Sequence, residues 1–455
     1  MTASTWTSNP PGPPPPARPS APHKIVGLGL GGLGCALALH EKGIPFEAIE
    51  KEARPGGLAR SERIDGFRFD HGPHVLLGIP DELAPLFDRL DLDLMSCSCG
   101  SAIALEEPRL MVPAPFQRHL SHLPWRRRWS IVSELVRARL SRRPPSKSYR
   151  DFAIASNGRT IFELFLGRYE SKRLRFDLAD MPPDWTRRLV PPRLLSVLQG
   201  PPRPAAPSTP CGDGSFLYPR SGIEQLPRAL GRLLPPGCCR YNLELVAIDL
   251  RARRIAFRDG SHDHFDSLTL SLPLPAIVQL IKDPPAEVRD AAAELSYASI
   301  YVVSLGVRGR AACPGCIIRY PDPRVDFYRI TSPTAYIPGG APDGCTSLMV
   351  ELSHHHSRYP VGPDEALHRC LSGLERLGVL GPETSLVTHH TRPIPYAHIV
   401  STHRSPAAIR FLRSFLAGHS IHLCGKYGYW EDMLMPQAIL SGMRAAEAIA
   451  RPRAR

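Results

Sequence analysis

Four residues near the start of the chain have types and spacings suited to binding a dinucleotide. Gly27, Gly29 and Gly32 stand in the pattern G-x-G-x-x-G, and Glu50 follows Gly29 by 21 residues. Gly27 permits a tight turn, Gly29 lets a pyrophosphate approach the backbone, and Gly32 lets the next element pack closely. If a helix begins here, the free N–H groups at its start, around Gly31 and Leu33, face the phosphates with the positive end of the helix dipole. An acid about 20 residues beyond the turn accepts hydrogen bonds from a ribose diol.

The elements that would hold these residues are readable around them. Lys24-Ile25-Val26 is a short apolar run that predicts a buried parallel strand. An Ala- and Leu-rich helix through Cys35, Ala36, Ala38 and Leu39 ends at Gly43, and Phe46-Glu47-Ala48-Ile49 predicts the second strand, ending at Glu50. Strand, glycine turn, helix and acid-ended strand occur in the order a dinucleotide fold requires.

The residues after Glu50 carry a resemblance. Lys51 to Ser61 forms a second glycine turn with Gly56, Gly57 and Leu58, followed by Gly66-Phe67-Arg68-Phe69-Asp70-His71-Gly72-Pro73-His74. This succession resembles the amine oxidase and protoporphyrinogen oxidase superfamily of FAD proteins, which also contains UDP-galactopyranose mutase and the phytoene desaturases. There a paired-glycine segment follows the acid, and an F-x-x-D-x-G-x-H run lies near the flavin. Glu50, Lys51, Gly56, Gly57, Leu58, Gly72, Pro73 and His74 fall on or beside those positions, so the resemblance implies FAD rather than NAD. Val246, in Val246-Ala247-Ile248-Asp249, matches the strand that approaches the adenine end. Ile421 to Gly442 resembles the closing G-R-x-G motif, whose helix start faces the flavin, placing Gly425, Lys426, Met435, Gln437 and Ala438 at the cofactor. Lys426 replaces the usual Arg, which keeps charge and loses the fork. Pro436 replaces the usual Asp.

Between these anchors, Phe165 to Lys172 with Trp185 and Arg188 resembles a segment that walls the substrate cavity in the same superfamily. Tyr169, Lys172, Arg329 and Trp430 are the expected pocket residues, with Arg329 a cation able to bind a carboxylate or phosphate. No catalytic acid or base is nominated, because the flavin carries the chemistry in such proteins.

The resemblance implies an α/β fold. A Rossmann-like, NAD(P)-binding type of FAD-binding domain, with a parallel sheet and helices on both faces, is expected over 24–80, 215–290 and 415–450. An inserted α+β substrate domain with an antiparallel sheet is expected over 81–214 and 291–414. Residues 1–23 read as a disordered Pro-rich tail and 201–214 as a linker or mobile loop. The implied function is an FAD-dependent oxidoreductase that abstracts hydride from an anionic or lipophilic substrate. A redox-neutral sugar-nucleotide mutase and a catalytically idle scaffold are the alternatives.

Composition sets the remaining bounds. A net charge of +13 and a pI near 9.4 favour anionic partners, although 50 prolines and many arginines also fit a compositional bias. A small molecule rather than nucleic acid is the expected partner. Trp125 to Arg143 has cationic, amphipathic helical spacing, which suits either a solvated surface helix or peripheral contact with an anionic membrane. No apolar run reaches the ~20 residues of a membrane span, and the expected location is cytoplasmic, peripheral to the inner membrane face if that contact forms. The 11 cysteines are read as reduced, and Cys313-Pro314-Gly315-Cys316 as neither a metal nor a dithiol site.

Overall fold

His23-Lys24-Ile25-Val26 is buried at every position and forms the middle strand of a five-stranded parallel sheet in the computed structural model. The structure describes residues 22–105, 110–140, 146–185, 192, 197, 215–313, 315–355 and 359–451. A strand covered on both faces can carry polar residues only when they are paired. His23 Nε2 lies 2.8 Å from Thr269 Oγ1, and Lys24 is salt-bridged to Glu47 and Asp263.

The sheet order is Ile421–Leu423, Leu268–Leu270, His23–Val26, Phe46–Ile49, Cys239–Arg240, so it is assembled from widely separated stretches of chain. Helices Leu30–Glu41 and Met435–Ala450 cover one face with Leu33, Leu37 and Ile439. Helices Leu274–Leu280, Ala286–Ala293 and Ser405–Gly418 cover the other with Ile277, Val288 and Leu412. Close packing, expected at Gly32 alone, is shared along a seam of glycines. A Cβ on Gly32 would lie 1.9 Å from Gly27 O, one on Gly34 2.3 Å from Ile439 O, and one on Gly442 1.9 Å from Gly31 O. The first and last helices therefore touch backbone to backbone.

The second sheet has seven strands, in the order Ser385–Val400, Ser296–Arg308, Cys345–His354, Arg329–Thr331, Ile317–Arg319, Ser101–Leu105, Leu110–Pro113. All pairs are antiparallel except Ile317–Arg319 with Ser101–Leu105. Alternate side chains of Ser296–Arg308 enter different cores, Ile300 and Val302 one, Tyr301 and Val303 the other. The 16-residue strand Ser385–Val400 was not read from sequence, because Pro393 and Pro395 interrupt its pattern. It lies at the sheet edge, where proline is tolerated.

Cys316 is joined by a disulfide to Cys99, not to Cys313, which corrects the expectation of reduced thiols throughout. No cluster of metal-ligating side chains occurs among the described residues. The segments 1–21 and 201–214, and Arg188, lie outside the described residues.

Candidate functional site

Three adjacent parallel strands end side by side, at Val26, Leu270 and Leu423, and their continuations Gly27, Ser271 and Gly425 converge. The crevice beyond the carboxyl ends of such strands is where open α/β sheets bind ligands. Gly27 takes φ +91° and Gly425 φ +77°, conformations that favour glycine. The second glycine turn lies directly on the first: Gly56 N–H donates to Leu28 O at 2.7 Å, and Gly29 pairs with Gly56 as an isolated bridge.

Helix Leu30–Glu41 has Gly29 as its N-cap, with no side-chain cap and no acid in its first turn. Its first internal bond is Leu33 N–H to Gly29 O, 2.9 Å, which leaves the preceding N–H groups without intrahelical partners. A Cβ on Gly29 would meet Gly57 Cα and Ser271 Oγ at 3.9 Å, ordinary van der Waals contact, so no atom presses on that backbone. An uncapped, buried helix start fits the pyrophosphate of a dinucleotide.

Glu50 sits beside this cradle, with 5% of its surface exposed. Its carboxylate accepts from Leu28 N–H at 2.7 Å and Glu52 N–H at 3.1 Å, and Arg60 lies 3.8 Å away. Burial raises the Glu50 pKa, against the pull of these donors and Arg60. Lys51 is exposed beside Glu52. Val246 occupies a bulge between Leu245 and Ala247, so its backbone is free of the ladder. Leu243 N–H, just before it, donates to Glu50 O.

Among the expected C-terminal residues, Gly425 N–H donates to Ser441 Oγ at 2.8 Å, and a Cβ on Gly31 would strike Gly425. Gly31 thus serves helix packing. Lys426 is salt-bridged to Asp432 at 3.0 Å. Met435, Pro436 and Gln437 begin helix Met435–Ala450, Pro436 is buried in its first turn, and Gln437 Oε1 accepts from Leu434 N–H at 2.8 Å. Ala438 N–H makes the first internal bond, to Leu434 O.

His74 stands between the two halves. Its Nδ1–H donates to Gly72 O at 2.9 Å, and burial lowers its pKa to about 4, so the ring is neutral with Nε2 as an acceptor. Its charge neighbours are Glu351, Lys426 and His71. Asp70, fully buried, accepts from Ser61 Oγ at 2.6 Å and Tyr218 OH at 2.8 Å, and burial raises it to about 7.

Beyond His74 a chain of paired groups crosses the half built on the seven-stranded sheet. Arg329 and Glu351 face each other in register on adjacent strands, and both Arg329 Nε and Nη2 bond the carboxylate. Tyr328 OH donates to Glu351 Oε1 at 2.9 Å and lies 3.0 Å from His398 Nε2. With that hydroxyl proton on Glu351, His398 is the donor to Tyr328. Its Nδ1 is then left to accept from Arg173 Nη1 at 3.2 Å, and Arg173 is held by Glu170. Burial and the nearby cations keep His398 neutral, its pKa far below the usual value.

Three pocket expectations are corrected. Arg329 is engaged by Glu351 and is not a free cation. Lys172 donates to Tyr320 O at 3.1 Å and Asp322 O at 2.6 Å, tying helix Gly167–Leu174 to the sheet, and burial lowers it to about 7. Trp430 takes φ +54° and packs edge-on against Tyr297 and Tyr396 in the core beside the parallel sheet. Tyr169 stays with the network, packed against Tyr328. Glu351, Tyr328, His398, Arg173 and Glu170 were missed. The available signal was Glu351 itself, a lone acid inside Leu348-Met349-Val350-Glu351-Leu352.

A family model described as flavin containing amine oxidoreductase matches residues 30–450. The zeta-carotene-forming phytoene desaturase of Myxococcus xanthus is 24% identical over 386 residues, covering 73% of this chain and 72% of that protein. The lycopene-forming phytoene desaturase of Pantoea ananas is 39% identical over 66 residues, 14% of this chain and 13% of that one. Among solved structures, reduced UDP-galactopyranose mutase superposes with a TM-score of 0.84 at 24% identity, covering 94% of this chain and 95% of the other.

Proposed function

Since the chain belongs to the flavin containing amine oxidoreductase family, and is thereby an FAD-dependent oxidoreductase, we propose that it removes hydride from a C–H bond of an uncharged, lipophilic molecule. The observation that carries this reading is the cancellation of charge in the substrate half. Arg329 is matched by Glu351 and Arg173 by Glu170, each through two guanidinium nitrogens. A paired, buried arginine offers little attraction to an anionic substrate, because separating the pair would strand a buried carboxylate. The Myxococcus relative, which desaturates phytoene, has a substrate of the proposed class.

In this reading Gly27, Gly29, Gly32 and Leu33 would hold the pyrophosphate, Glu50 and Lys51 the ribose side, and Val246 the adenine end. Gly56, Gly57, Leu58, Gly72, Pro73 and His74 would line the path to the ring, while Gly425, Lys426, Met435, Gln437 and Ala438 would close it. Bound there, FAD supplies the hydride acceptor. His74 contributes a neutral acceptor nitrogen, Lys426 a cation steadied by Asp432, and the Tyr328–His398 chain keeps Glu351 on Arg329.

A sugar-nucleotide mutase needs free cations for a diphosphate. Among the described residues, the buried arginines beside Tyr328 are both committed to carboxylates.

Anaerobic titration of the FAD-loaded protein tests the reading. A lipophilic polyene is expected to bleach the visible flavin absorbance, which air restores. Turnover of UDP-galactopyranose with no bleaching by any lipophilic candidate would overturn it.

A further inference from the structure

Helix Trp125–Leu140 presents two apolar stripes, only one of which packs into a core among the described residues. The inner stripe, Ile131 and Leu135, is buried in the core with Ile161, Phe165 and Tyr169. The helix's one acid, Glu134, also turns inward, accepting from Thr160 N–H at 2.9 Å and Thr160 Oγ1 at 2.6 Å. Arg128 donates inward to Val197 O at 2.7 Å.

The outer stripe is Trp125, Trp129 and Val136, at spacings of four and seven that place them on one face. They are 64%, 60% and 40% exposed. Large aromatics are rarely left so open, and two of them one turn apart mark an interaction surface. Beside them stand Arg126 and Arg137, both exposed, with no carboxylate partner among the described residues. The Arg126 guanidinium lies 5.3 Å over the Trp125 ring.

We propose that this outer face docks on an anionic lipid bilayer. Indole rings settle at the boundary between headgroups and acyl chains, where an apolar body and a polar N–H are both satisfied. Arginines beside them reach headgroup phosphates while their stems cover apolar surface. With Glu134 turned inward, the helix sets no carboxylate against such a surface. No helix among the described residues is long and apolar enough to cross a membrane, so the contact is peripheral. The inference does not depend on which molecule is oxidised.

Flotation of the full-length holoprotein with vesicles tests this without any substrate. The protein is expected to float with phosphatidylcholine–phosphatidylglycerol vesicles and not with phosphatidylcholine alone, and raising salt should release it. Arg126→Glu/Arg137→Glu should cut partitioning at least about 25-fold, at roughly fivefold for each arginine near an anionic surface. Trp125→Ser/Trp129→Ser should weaken it about tenfold and abolish the blue shift of tryptophan fluorescence on binding. Failure of the wild-type protein to float with anionic vesicles at low salt would overturn the proposal. So would undiminished flotation of a charge-reversed variant that melts like wild type, or binding to duplex DNA but not to vesicles. Should a variant not fold, the wild-type comparison of anionic with neutral vesicles still decides.

Discussion

The two halves of the molecule build their sites by opposite means. In the half built on the parallel sheet, side chains are removed. Gly31, Gly34 and Gly442 let two helices touch through their backbones, and Gly29 leaves the helix start without a side-chain cap. In the half built on the seven-stranded sheet, side chains are added and then neutralised, as the run from Arg329 and Glu351 through Tyr328 and His398 to Arg173 and Glu170 shows. The first arrangement fails sterically and all at once. The second fails electrostatically, and a compensating change can rescue it.

The steric half gives the largest expected effect. Gly442→Val would put a Cβ 1.9 Å from Gly31 O and 2.6 Å from Cys35 N, inside a helix pair that cannot separate without opening the core. No folded protein is expected, measured as loss of soluble monomer and of a cooperative melt. Gly418→Ala, where a Cβ meets nothing within 4 Å, should melt like wild type. If Gly442→Val folds and melts normally, the glycine seam is not what holds the two helices.

The paired half gives a smaller, reversible effect. Glu351→Gln leaves the Arg329 guanidinium buried without its counter-charge, at a cost of about 3–5 kcal/mol read by denaturant unfolding. Replacing both partners, Arg329→Met with Glu351→Leu, should recover much of that loss, because apolar groups of similar volume often substitute for a buried pair without penalty. A double variant as unstable as the sum of its singles would show that the pairing is not what the sheet needs.

These two modes also explain what was legible in the sequence. A removed side chain is visible locally: Gly27, Gly29 and Gly32 lie within six residues, and Glu50 closes the motif at a fixed distance. Charge pairs depend on register and long-range topology. Arg329 and Glu351 both lay in stretches read as strands, yet only the antiparallel register sets them opposite each other. His398 reaches Arg173 across 225 residues of chain, from an edge strand hidden by Pro393 and Pro395. The disulfide joins Cys99 to Cys316 over 217 residues, a separation at which local cysteine spacing carries no signal. Lys172 and Trp430 rested on likeness to family segments, which cannot distinguish a cavity lining from a carbonyl clamp or a core ring.

Asp70 sharpens the contrast, because it is buried like Glu351 but makes no ion pair among the described residues. It is held by the Ser61 and Tyr218 hydroxyls and by the backbone N–H of Ile223. Burial lifts its pKa to about 7, so between roughly pH 4 and pH 7 the folded protein keeps a proton that the unfolded chain has released. Its stabilising contribution is therefore complete below about pH 4 and disappears as the pH rises through about 7. His71 and His74, both lowered to about 4 by burial, act in the opposite direction, costing stability as the pH falls below 6.5. Wild type alone thus shows a blunted pH profile, and the difference between wild type and Asp70→Asn isolates the acid. That variant should gain on wild type as the pH rises from 4 to 8, by up to about 4 kcal/mol for a shift of about three units. Thermal melts across that range measure the gain. Parallel curves for the two proteins would mean that Asp70 is ionised in the fold and that the nearby Arg68 compensates it as Arg329 compensates Glu351.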